Sequence, residues 1–249
     1  MRVERFIQTW GTVIVVDVAA DDLDEGALII AVDKVEEFFL EVNESFSTYI
    51  PTSQVSMLRA GLMEIDEASA DVLEVWNLCG YARQLTLGAF DPWAVEGGFD
   101  PSGIVKGWAS EKVAEMLLSD GVTQVLINAA GDLVLRGGAP WQISVTAPDD
   151  AQKALKTFDV VDGAVATSGD YERGAHIRDP HTGLIAIGAR SATVFGPNGA
   201  IADALATALM VDGRDAQKWM GREELSEYSY WVLNRDDETA WSYGPISGR

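Results

Sequence analysis

Residues 12 to 18 read TVIVVDV, a β-branched run that predicts a strand at the head of the chain. The pattern then changes period. Leu28, Val32, Val35, Phe39, Val42 and Phe46 recur at three- and four-residue intervals, which predicts one long amphipathic helix. FSTYIPTSQVS breaks that period with Pro51 and a cluster of hydroxyls and reads as an ordered loop. A second helix is expected over residues 69–85, with Val72, Val75, Trp76, Cys79 and Ala82 on its apolar side. The loop LGAFDPWAVEGGFDPSG separates it from a third helix over residues 105–118.

Beyond the third helix the apolar positions shorten to strand-like runs. QVLINAA, DLVLRGG, WQISVTA, TFDVVDG and AVATSGD are short, rich in β-branched residues and divided by Gly and Asp, so hairpins are expected between them. SATVFG predicts a strand feeding a helix over IADALATALMV, and YSYWVLN with TAWSYG predicts a closing strand pair. Helices and strands fall in blocks and do not alternate regularly, so the expected class is α+β and not a doubly wound parallel sheet. No composition shift, long linker or internal repeat marks a domain boundary.

Composition narrows the partners. At 47% hydrophobic and 23% charged residues the chain is that of a folded globular protein. Its 39 acidic against 18 basic residues leave a formal charge of −21, which argues against nucleic acid or an anionic membrane surface as partner. An anionic ligand would have to be held locally, by backbone amides, a helix N-terminus, a metal ion or a few placed cations. No run of eighteen apolar residues occurs, so no membrane-spanning segment is expected. The N-terminus has no uninterrupted apolar stretch and no lipidation cysteine, and a cytoplasmic location is the expectation. The single Cys79 excludes an intrachain disulfide and reads as a small core residue.

Candidate chemistry gathers in five loops dense in Gly, Asp, Pro and hydroxyls, at residues 88–93, 99–110, 128–132, 167–183 and 196–207. In IADALATALMV, Asp203 and Thr207 stand four apart, so both oxygens lie on one helical face and can converge on a cation. Alternatively, Asp203 serves the helix dipole and Thr207 bonds back to a carbonyl. DPSGIVKG opens a helix with free amides, with Lys106 one turn in. That suits a pyrophosphate, or equally a plain cap by Asp100 or Ser102 with a solvated lysine. His176 lies among carboxylates that would tune a general base, although an exposed surface histidine is the commoner state for a loop. With no Cys cluster and no H-x-x-x-H helix, oxygen ligands dominate, and a hard cation such as Mg²⁺ fits better than zinc.

In this order, WGT, FSTYIPTSQVS, GAFDPW, DPSGIVKGWA, INAAGD, SGDYER, HIRDPHTG and ADALATAL resemble the FAD:protein FMN transferases, the ApbE family, over nearly the whole chain. The resemblance implies a single ApbE-like (T-fold-like) domain over residues 1–249, with mixed or antiparallel sheets packed against helices. It implies a Mg²⁺-dependent transfer of the FMN half of FAD to a Ser or Thr hydroxyl of a target protein, with release of AMP. Hydrolysis of FAD to FMN and AMP and non-catalytic FAD binding or storage are the alternatives. Carried over by motif, Asp203, Thr207 and the Gly103 carbonyl would hold Mg²⁺. Trp10, Tyr49, Ala89, Phe90, Asp91, Asp100, Lys106 and Ile177 would line the FAD site, and His176 would be catalytic. Trp10 stands where many members have Met, Arg59 and Ala60 where many have Asn, and the family's lipoprotein signal is absent, which favours an intracellular form.

Overall fold

Trp10 and Gly11 adopt left-handed backbone (φ 54° and 70°), and this two-residue turn folds the head of the chain into a hairpin. The computed structural model describes residues 1–138, 140–169, 177–237 and 239–245, and of Ala151 only the backbone. Strands β1 (Arg2–Thr9) and β2 (Thr12–Ala19) form the hairpin, so β1 is a strand in addition to the one expected. The long helix follows as α1 (Glu25–Phe46), capped by Asp24, with all six apolar positions singled out above buried. The hydroxyl-rich segment differs from expectation: Ser53 accepts the Ser56 amide and starts a short helix, α2 (Gln54–Arg59).

Helix α3 (Ala70–Leu85) is capped by Ser69 and buries Cys79, and α4 (Ser102–Ser119) begins three residues ahead of the expected start. Strands β3 (Gln124–Ala129) and β4 (Asp132–Arg136) are followed by β5 (Trp141–Ala147) and β6 (Asp150–Val160), the last longer than its apolar core suggests. Then come β7 (Gly163–Gly169), β8 (Ser191–Gly196), α5 (Gly199–Asp212), the one-turn α6 (Gln217–Met220), β9 (Ser229–Leu233) and β10 (Ala240–Tyr243).

Among the described residues, eight strands form one antiparallel sheet in the order β1-β2-β3-β4-β7-β8-β9-β10. Helices α1, α4 and α5 pack on one face, where Ile14, Val16, Ile127 and Val194 meet Phe39, Ile104 and Leu205 in the main core. The β5–β6 hairpin leaves the sheet and covers its other face, burying Leu135, Val165, Phe195 and Trp231 against Val145, Phe158 and Val160. This is the expected α+β arrangement, with the sheet wholly antiparallel. No helix among the described residues is long and apolar enough to cross a membrane.

Helix α5 is buried on nearly every side, which explains its run of alanines: small side chains let α4 and the sheet approach closely. Asn198 caps it, accepting the Ile201 amide at 3.0 Å. Asn198→Ala should therefore cost about 1 kcal/mol, read as a fall of about 2–4 °C in thermal midpoint.

Candidate functional site

The start of α4, the middle of α5 and the adjoining ends of β4 and β7 meet at one point. Pro101 precedes α4 without a side-chain cap, and Asp100 accepts the Ser102 amide at 3.0 Å. Gly103 departs from helical geometry (φ −82°, ψ 15°), so the first turn is irregular. A Cβ placed on Gly103 would lie 3.0 Å from the Phe90 ring and 3.7 Å from Thr207 Oγ1. Gly103 thus lies close to the Thr207 hydroxyl, and a side chain there would press on the Phe90 ring. Ser168 at the end of β7 adds a second hydroxyl, its Oγ 3.4 Å from Thr207 Oγ1.

Asp203 sits one turn before Thr207 on α5 and is 5% exposed. Such burial is costly for a carboxylate unless cationic or hydrogen-bonding partners stand close. Lys106 Nζ lies 3.5 Å from Asp203 Oδ2 and also pairs with Asp132 Oδ2. The dipole explanation for Asp203 does not hold, because Asn198 caps the helix and Asp203 lies beyond its first turn. A buried carboxylate, two hydroxyls and a glycine backbone, already met by one ammonium group, form a donor set suited to a hard cation. Among the described residues there is no group of three or more His, Cys, Asp or Glu side chains suited to a metal, so any cation here relies on hydroxyl and backbone oxygens as well.

The other expected site residues are distributed around this point. Ala89 and Phe90 are buried beside the start of α4, and the Phe90 amide is held by Thr86 Oγ1 at 3.1 Å. Asp91 receives Arg83 Nε at 2.6 Å and the Trp93 amide at 3.0 Å, which fixes its loop. Ile177 is half-buried against the main core. Trp10 packs edge-on against Phe39, with ring centroids 5.5 Å apart, and Tyr49 is 93% exposed. His176 and residues 170–175 lie outside the described residues. Trp108 and Trp219 are buried in the core, and Trp76 packs edge-on to Trp93 and at a tilt against Phe99.

Residues 94–229 match the ApbE family. The chain belongs to that family. Among curated ApbE relatives, it is 32% identical over 149 residues to the FAD:protein FMN transferase of Vibrio cholerae serotype O1, and 32% identical over 133 residues to that of Escherichia coli K12. Those stretches are 54% and 47% of this chain but only 44% and 38% of the relatives, so the chain spans less than half the length of the curated relatives it matches. Its fold is similar to that of the flavin transferase ApbE from Vibrio cholerae (TM-score 0.82, 24% identity, 99% of this chain and 97% of that one). It is also similar to the ApbE protein from Thermotoga maritima (TM-score 0.85, 22% identity, 97% and 96% covered). At these identities the likeness speaks to the ApbE fold, mixed helices on an antiparallel sheet.

Two charged residues at the site were not singled out from the sequence. Asp132, in the NAAGD turn, is buried and holds Lys106 while its Oδ1 accepts the Thr167 amide at 3.2 Å. Arg59, noted only as a departure from the family pattern, donates to the carbonyls of Glu96 at 2.8 Å and Phe99 at 3.2 Å and so ties down the loop leading to Asp100.

Proposed function

We propose that this chain transfers the FMN half of FAD to a Ser or Thr hydroxyl of a target protein and releases AMP, using Mg²⁺ held by Asp203, Thr207 and the Gly103 carbonyl. The observation that carries this reading is the convergence of a buried carboxylate, a hydroxyl and a glycine backbone from two helices on one point, beside a lysine. The names of the curated relatives supply the reaction class.

In this reading the acceptor oxygen attacks the FMN phosphorus, a new P–O bond forms, and the bond from that phosphorus to the oxygen shared with the AMP phosphate breaks. His176 takes the proton of the attacking hydroxyl, a role that rests on the resemblance in HIRDPHTG. Bound Mg²⁺ supplies charge neutralisation for the pyrophosphate oxygens, all the more needed in a chain of formal charge −21. Lys106 presents an ammonium group to the same phosphates, and the start of α4 behind Asp100 offers free amides. Phe90 and Ala89 wall the cleft near Gly103, while Trp10, Tyr49, Asp91 and Ile177 complete the flavin site.

The test separates catalysis from storage. His176→Ala should retain FAD binding and lose AMP release by about 10²- to 10⁴-fold, the usual contribution of a positioned general base. AMP release equal in both forms would remove His176 from the mechanism, and bound FAD with no AMP from either form would favour a storage protein.

A further inference from the structure

Lys106 stands between two carboxylates, and one ammonium group cannot neutralise both. Its Nζ pairs with Asp132 Oδ2 and lies 3.5 Å from Asp203 Oδ2, with each aspartate side chain only 7% exposed. Asp132 is held at both of its oxygens. It follows the Ala130–Gly131 turn, where both residues have positive φ (58° and 96°), and it begins β4 opposite Ala129. Its second oxygen is engaged by the Thr167 amide of the neighbouring β7. The side chain therefore offers Lys106 a fixed anchor on the sheet, while Asp203 approaches from α5.

We propose that Asp132 is a positioning residue that retains the Lys106 ammonium on the sheet side of the cleft, and that this retention leaves Asp203 open to a divalent cation. The inference rests on the reading of Asp203, Thr207 and Gly103 as a cation site, and deepens it. Lys106 and the incoming cation carry charge of the same sign and share the Asp203 carboxylate, so they compete. With Asp132 in place, Lys106 keeps an ion pair when the cation takes Asp203. Without it, the pull of Asp203 on Lys106 is no longer opposed from the sheet, and the cation meets a stronger competitor.

Calorimetric titration of Mg²⁺ alone into the full, FAD-free chain reads this directly. Asp132→Asn, which preserves shape, should weaken Mg²⁺ binding at least tenfold. Lys106→Met, which removes the competitor and leaves both carboxylates, should tighten it severalfold. Asp132→Asn made in the Lys106→Met background separates retention from the bare charge of Asp132: retention predicts little further change there, whereas an equal weakening in both backgrounds overturns it. Should Asp132→Asn fail to fold, Asp132→Ser, which also removes the charge, takes its place in the same two backgrounds. Wild-type chain that binds Mg²⁺, together with Lys106→Met that binds it equally or more weakly, overturns the role of the pair and leaves the cation site standing. Wild-type chain that binds no Mg²⁺ overturns the cation site and this inference with it.

Discussion

Asp203→Asn should lower AMP release from FAD by about 10³-fold, equivalent to about 4 kcal/mol in the activation barrier. Asparagine keeps the size of the side chain but removes the negative charge that Asp203 brings to a donor set otherwise made of the neutral Thr207 hydroxyl and Gly103 carbonyl. The same substitution takes one of the two carboxylates away from Lys106 and leaves the ion pair with Asp132 in place. Steady-state AMP release at increasing Mg²⁺, alongside a thermal melt, checks both halves. Activity within a few-fold of wild type in a folded variant would mean that the α5 carboxylate is not a ligand and that the oxygen cluster has another purpose.

Gly107→Ala should be strongly destabilising. A Cβ at Gly107 would lie 2.3 Å from the backbone carbon and oxygen of Gly199, where the middle of α4 crosses the start of α5. Backbone cannot rotate aside as a side chain does, so the two helices must separate. Overpacking of this kind costs about 3 kcal/mol, or about 6–12 °C in the thermal midpoint of a chain of this size. The crossing also sets the distance between Lys106, next to Gly107, and Asp203, one turn into α5. Mg²⁺ affinity should fall with stability even in the fraction that remains folded. An unchanged melt would show that the α4–α5 crossing is looser than this packing implies.

The helices were readable wherever one face is buried against one layer. The spacing of Leu28, Val35, Phe39 and Val42 gave α1, and Ser69 before an apolar run gave the start of α3. The head of the chain was harder. The apolar residues of RVERFIQT, Val3, Phe6 and Ile7, do not alternate with polar ones as a half-buried strand would have them, and the turn at Trp10 depends on a left-handed tryptophan, a conformation few sequences announce. The hairpin β5–β6 reads as two more strands of the sheet, because nothing local tells a strand which face of a layer it will cover. Local spacing likewise determined what was legible in the site. Asp203 and Thr207 share a helical face by their four-residue spacing, so the pair stood out. Asp132 lies 26 residues from Lys106 and on a different element, and an acid after Ala-Gly reads as an ordinary turn residue until the sheet brings it to α4.

The most direct measurement is the intact mass of a protein or peptide carrying the family's hydroxyl acceptor motif after incubation with this chain, FAD and Mg²⁺. The account predicts that the acceptor gains one FMN, that AMP appears in equal amount, and that both vanish when Mg²⁺ is chelated. Free FMN and AMP with an unlabelled acceptor would contradict the transfer and make the chain a hydrolase of FAD, while AMP formed equally without Mg²⁺ would contradict the role given to Asp203, Thr207 and Gly103.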